Sequence, residues 1–422
     1  MPPIRPNPTL SDDLITEILA RVPVKSLLRF KSVSKTWLSL INHPAFLKSQ
    51  LLHTLETNQT LILSRFKRYE ENRFLLLDTD SRTALVDLNF PYSRDEFSYV
   101  PTSSLVGSAN GIVCVAVDFV DLTTRLYLWN PATRHSKVIP TFRDVRNDAL
   151  GFGYDPVDRD YKVVRVGAPP SFAEVYSCNT NVWSKVSDPV DVPRNADFDV
   201  CVNGFLCGVG EHGMMVFDLN KEVLNCAIKL PVIYGDDNDE NDDDAYGYDA
   251  GGDNDENNDD VYDVAEDEDD DDEEPGVIEF YDPRVIESND VRIIEFNKSI
   301  AVIIVWDDGL NDDKKINLWT LDDEACLRGG GVEASWTLMF SIDLGMPLDF
   351  IHGYSSNGDI VIILDDAYVW ISCNVDKKEA KILPLSTGMA KHLYTRHVYK
   401  YTESLVLIAG FEQVNWNAPE SR

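Results

Sequence analysis

Apolar residues recur at two different spacings along this chain, and the change from one to the other divides it. Between Leu10 and Leu52 the spacing is helical. Leu14, Ile15, Ile18, Leu19 and Val22 fall together on a first helix, with Ser11 placed to cap it and Asp12 and Asp13 in its first turn. Pro23 ends that helix and can begin the next, which carries Leu27, Leu28 and Phe30. Val33, Trp37, Leu38 and Ile41 predict a third helix, with Pro44 closing the unit. About 45 residues bury only a marginal core, so apolar groups should be left over to face another protein. An ordinary helical hairpin packed on the next domain is the alternative.

Beyond this unit the chain reads as strand and turn. Short β-rich runs follow one another: LILSRF, RFLLLD, IVCVAV, RLYLWN, YKVVRV, AEVYS, MMVFDL, AVIIVW, INLWTL, DIVIIL, YVWIS and LVLIAG. Asn110-Gly111, Asn203-Gly204 and Asn357-Gly358 are dipeptides suited to turns with positive φ. A strand–turn–strand unit repeats around Asn130, Asn179 and Asn220, at spacings of 49 and 41 residues by sequence position. Periods near 40–50 residues with four strands each predict β-propeller blades. About six are expected, with a terminal strand near Tyr399–Ile408 completing the first. A β-sandwich is the rival, but roughly 350 residues is large for one.

The helical stretch resembles an F-box, the module that docks substrate receptors onto the Skp adaptor of cullin-RING ubiquitin ligases. The resemblance rests on Leu10, the ILARVPVKSLLRF centre, the VSKTW segment and the INHPAF tail. It implies an adaptor-binding set of Leu10, Ile15, Ile18, Leu19, Pro23, Val24, Leu27, Leu28, Val33, Lys35 and Trp37. Family members usually carry Leu-Pro where this chain has Leu10-Ser11, which implies somewhat weaker docking. The strands LVGSANGIVCV, LYLWNPATR, GFGYDPVDRDYKVVRV, AEVYSCNTNVWSKV and EASWTLMFSID resemble the F-box-associated domain of plant F-box proteins, several of which are labelled F-box/kelch-repeat proteins. Together the two resemblances imply a non-catalytic substrate receptor of a ubiquitin ligase, acting on an unidentified protein. The expected architecture is α+β: a disordered start (1–9), a three-helix F-box (10–57), a kelch-like propeller in two parts (58–235 and 277–412) around a disordered acidic insertion (236–276), and a tail (413–422).

Charge alters the picture in one place. The net charge is -34, and residues 236–274 alone hold 23 acidic and no basic side chains, leaving about -11 elsewhere. Such a run repels itself and has little to bury. It is expected to act as a spacer, the other reading being a lure for a basic partner. An EF-hand reading of Asp253–Val264 fails, because the glycine position holds Asn258 and the last ligand position Val264. The N-terminal MPPIRPNPT is not a signal peptide, and no apolar run reaches membrane-spanning length. Seven irregularly spaced cysteines, including Cys114, Cys201, Cys207 and Cys373, fit reduced thiols of a cytoplasmic or nuclear protein.

Candidate chemistry is sparse. Gly208–Gly213 satisfies GxGxxG, yet a strand follows where a phosphate site needs a helix, so it predicts a hairpin. No metal-ligand spacing appears among the histidines; His392 and His397 are expected in loops. Trp129, Trp183, Trp319, Trp336 and Trp370 are expected to pack the sheets. No cofactor, metal or nucleic acid is implied. Two other function classes stay open: a propeller enzyme or small-ligand binder, and a non-degradative adaptor-bound inhibitor or scaffold.

Overall fold

A computed structural model describes residues 11–57, 60–65, 73–78, 84–88, 90, 102–119, 123–140, 148–167, 172–186, 198–210, 213–231, 291–307, 314–328, 333–343, 351–356, 359–364, 369–374, 377, 379–383 and 398–413. Leu10, the Asn357-Gly358 pair, His392, His397 and the acidic stretch 236–274 lie outside them.

Four helices open the chain where three were expected: α1 (Asp12–Ala20), α2 (Val24–Phe30), α3 (Lys35–Asn42) and α4 (Pro44–Thr57). Pro44 starts α4 instead of closing the unit. A proline costs nothing at the first helical position, where the N–H would have no intrahelical acceptor. Ser11 caps α1 as expected, its Oγ accepting the Leu14 N–H at 3.4 Å. Ser34 caps α3 in the same way through Trp37 N–H at 3.1 Å, which leaves Val33 in the preceding turn.

The strands form six sheets among the described residues. The first orders β24-β1-β2-β3: β24 (Val398–Tyr401), β1 (Thr60–Arg65), β2 (Arg73–Asp78) and β3 (Ala84–Leu88). The second orders β25-β7-β6-β5-β4: β25 (Glu412–Gln413), β7 (His135–Ile139), β6 (Thr124–Asn130), β5 (Ile112–Asp118) and β4 (Thr102–Ala109). Then come β8 (Ala149–Asp155) to β11 (Val182–Lys185) by way of β9 (Asp160–Gly167) and β10 (Phe172–Ser177). The next runs from β12 (Val200–Val202) to β15 (Val223–Ile228) by way of β13 (Phe205–Gly210) and β14 (Gly213–Asp218). The last two are β16 (Val291–Phe296) to β19 (Trp336–Asp343) and β20 (Ile351–Ser356) to β23 (Glu379–Leu383). Five of the sheets have the four-stranded form expected of the repeat, and the second gains a fifth strand from the C-terminus. The leading strands β4, β8, β12, β16, β20 and β24 neighbour one another in that order and return to β4. The sheets therefore close a ring, which is a β-propeller.

Turn chemistry explains the hairpins. Asn110 and Gly111 have φ of 51° and 86°, Asn203 and Gly204 of 51° and 87°, the left-handed turns the two dipeptides predict. Asn297-Lys298 makes a third such turn without a glycine. The longer turns are shifted from expectation at two of three places. Their first residue is Asn130, Ser177 and Asp218, each accepting a backbone N–H from inside its turn. Asn179 and Asn220 sit two residues further on, because serine and aspartate cap such turns as well as asparagine does. The Gly208–Gly213 run joins β13 to β14 with Gly210 opposite Gly213, and a strand follows.

Neighbouring sheets are joined by side chains that reach across. Trp183 on β11 donates its indole N–H to Pro140 O at 2.5 Å, and Trp336 on β19 donates to Lys229 O at 2.9 Å. Trp129 lies fully buried against Phe74 and Phe90, with ring centroids 5.9 and 5.3 Å away. Lys162 on β9 is buried and reaches Leu219 O at 2.6 Å, Glu222 Oε1 at 3.0 Å and Asp155 Oδ2 at 3.3 Å. Burial opposes charge on Asp155, but N–H donors from Val157 and Asp158, the Asn220 amide and Lys162 outweigh it and hold the carboxyl below its usual value. A carboxylate depressed on folding stabilises the fold above its unfolded pKa of about 3.9 and ceases to do so as pH falls through the folded value. Wild-type melting temperature should therefore fall more steeply below about pH 4 than that of Asp155→Asn. Parallel melting curves against pH would contradict this.

One apolar run is not a strand. LVLIAG (405–410) was expected to pair, yet Thr402–Phe411 runs without strand pairing across the turns of the second sheet. Asn130 Nδ2 donates to Ser404 O at 3.1 Å and to Val406 O at 2.8 Å, so a side chain takes carbonyls a neighbouring strand would have taken. Ser404 Oγ donates to Asn110 O at 2.6 Å, and Lys137 Nζ to Ala409 O at 3.0 Å. A Cβ at Gly111 would run into Ser404 and Thr402, which is a second reason for glycine there.

Candidate functional site

The helical unit has an inner and an outer set of apolar residues, and the structure separates the predicted docking residues between them. Leu19, Ala20, Val24, Leu27, Ile41 and Phe46 form a buried cluster, with Ile15, Val22, Leu28, Phe30, Trp37, Leu40 and Leu47 packed against it. Phe30 and Trp37 meet edge to face, their centroids 5.2 Å apart. On α1, Ile15 and Leu19 point inward at i, i+4 spacing, whereas Leu14 and Ile18 point outward on a neighbouring stripe. Sequence periodicity had placed all of these on one face.

Burial divides the predicted adaptor-binding set. Leu19, Val24 and Leu27 are buried inside the unit. Ile15, Leu28 and Trp37 are half-buried. Ile18 is 52% exposed and Val33 64% exposed, and Pro23 and Lys35 are exposed beside them in the chain. Leu14 and Leu38 are also exposed and were not in the predicted set, although their helical positions were read correctly. An outer apolar set left exposed beside a buried inner cluster suits protein docking.

Among the described residues no group of three or more His, Cys, Asp or Glu is arranged to hold a metal. Among the described residues, Cys114, Cys178, Cys201, Cys207 and Cys326 form no disulfide. Burial pushes the Cys201 and Cys178 thiols up to about 12, far from the range of a reactive thiolate. No described helix is long and apolar enough to cross a membrane.

Comparison with known proteins follows the same division. The F-box domain family matches residues 8–49, and the F-box associated beta propeller domain family matches residues 59–245. The chain belongs to the plant F-box proteins that carry an F-box-associated domain.

F-box protein At2g21930 of Arabidopsis thaliana is 31% identical over 50% of this chain and 58% of its own length. F-box protein CPR1 of the same plant is 29% identical over 42% of this chain and 45% of its own length. The chain spans about half the length of the curated relatives it matches. TolB of Acinetobacter baumannii aligns over 84% of this chain and 71% of that one at 8% identity and a TM-score of 0.40, too distant to support any argument. The F-box match thus takes in α1 to α3 and the start of α4, with exposed Leu14, Ile18, Val33 and Leu38, and the F-box-associated match takes in β1 to β15 of the propeller.

Proposed function

We propose that this chain is the substrate-recognition subunit of a Skp–cullin–F-box ubiquitin ligase. In this reading Leu14, Ile18, Pro23, Val33, Lys35 and Leu38 meet the Skp-type adaptor, while Leu19, Val24 and Leu27 keep the helices in register behind them. The propeller binds a protein substrate. The chain itself makes and breaks no bonds. It raises the effective concentration of substrate lysines near the charged ubiquitin-conjugating enzyme and fixes their orientation. The observation that carries the reading is the exposed apolar set on the F-box, at 52% for Ile18 and 64% for Val33, beside the buried inner cluster. The reading places the protein in the cytoplasm or nucleus.

Proximity labelling with a docking-deficient chain tests the degradative step. Partners should accumulate around that variant. In cells carrying the wild type the same partners should turn over faster, and proteasome inhibition should restore them. Partners whose half-life is indifferent to the wild type and to the inhibitor would support an adaptor-bound scaffold instead.

A further inference from the structure

The inner core of the F-box is not made by the F-box alone. Leu405, which lies more than 340 residues downstream, is 3% exposed and belongs to the same buried cluster as Leu19, Val24 and Leu27. Gln50 on α4 is buried, and its Nε2 donates to Glu403 O at 3.5 Å and to Thr54 Oγ1 at 2.8 Å. Helix α2 has Pro23 at its N-cap and no side-chain cap of its own. The Glu403 carboxylate lies at this end of the helix, where the Val24 N–H and Lys25 both favour its charged form. Glu403 and Leu405 thus tie the C-terminal segment to the helices.

The same segment closes the ring. Immediately before it, β24 pairs with β1, Tyr401 opposite Thr60 and Val398 opposite Leu63. Immediately after it, β25 pairs with β7. Between the two strands, Asn130, Asn110 and Lys137 hold the segment onto the second sheet. Its position is therefore set by the finished propeller, and it reaches the helices only when it is in that position.

We propose that the F-box becomes competent to dock only after the C-terminal segment has closed the propeller, because that segment completes the F-box core with Leu405 and anchors α4 through Glu403 O. The device rests on the docking role given above. It withholds the ligase machinery from nascent, truncated or open-ring chains, which would otherwise occupy adaptor without holding substrate. A unit of four short helices is suited to such dependence, since its own core is marginal.

The test uses the full chain and Leu405→Asp, with amide hydrogen exchange read separately over residues 12–57 and over β5 and β13, and with affinity for purified Skp-type adaptor. Helical amides are expected to exchange at least tenfold faster in the variant, and adaptor affinity to fall at least tenfold, with β5 and β13 unchanged. Should the aspartate also loosen the sheets, Leu405→Ala is read by the same two comparisons. Unchanged helix protection and unchanged affinity would overturn the proposal. A wild-type chain that ignores the adaptor would defeat the functional reading, and the helix protection would still decide the coupling.

Discussion

Deletion of residues 398–422 is expected to abolish the cooperative melt of the propeller. The deletion removes β24, the strand that stands between β20 and β4 and pairs with β1 through four residue pairs from Thr60↔Tyr401 to Leu63↔Val398. It also removes Tyr401 and Tyr399, both buried in the cluster that holds Ile62, Phe74, Val113 and Trp129. Tyr399 additionally donates its hydroxyl to Val106 O at 3.1 Å, joining the first sheet to the second. Losing one buried aromatic costs about 3–5 kcal/mol, and losing two approaches the roughly 5–15 kcal/mol that stabilises a domain. The edge of β1 would then stand open as a template for aggregation. Calorimetry and light scattering on the truncated chain should show no sharp transition and soluble aggregates. A monodisperse truncation with the wild-type melting temperature would mean that the ring does not need β24.

The closing strand was legible before the structure, and the segment after it was not. Tyr399-Lys400-Tyr401 alternates aromatic and charged residues, and a strand beside the first one removes an open edge. LVLIAG has the same composition as a strand, but whether it pairs depends on Asn130, 275 residues away from Leu405 by sequence position, taking its carbonyls. Local pattern contains no such information. The Asn-Gly turns were readable because only a few residue types tolerate positive φ, whereas the repeat anchored on Asn130 drifted by two residues because serine and aspartate serve the same role at Ser177 and Asp218.

The F-box shows a similar limit. Its first three helices, its Ser11 cap and its family resemblance could be read from residues 10–51, whereas the helix that Pro44 begins could not. The orientation of its two apolar stripes could not, because Leu14 and Ile15 are adjacent and equally hydrophobic. Burial of Leu405 against the inner stripe decides which one faces inward. That is why sequence alone did not separate Leu19, Val24 and Leu27, which lie in the core, from the exposed members of the set.

Charge placed on the outer stripe is expected to destroy docking and leave the fold intact. Ile18→Asp with Val33→Asp changes two side chains that are 52% and 64% exposed, so the melting temperature should move little. In an interface, each buried carboxylate would lack a partner, and disrupting central apolar contacts typically costs 2 kcal/mol or more, about thirtyfold in affinity. Leu27→Ala is the informative contrast. It empties a fully buried position, costs about 2–5 kcal/mol of helix packing, and would lower binding by unfolding the unit. The measurement that bears most directly on the account is calorimetric titration of the full-length wild type and the Ile18→Asp, Val33→Asp chain with purified Skp-type adaptor. The account predicts saturable binding by the wild type and at least a thirtyfold loss in the double variant at an unchanged melting temperature. Equal affinity in the two chains would contradict it.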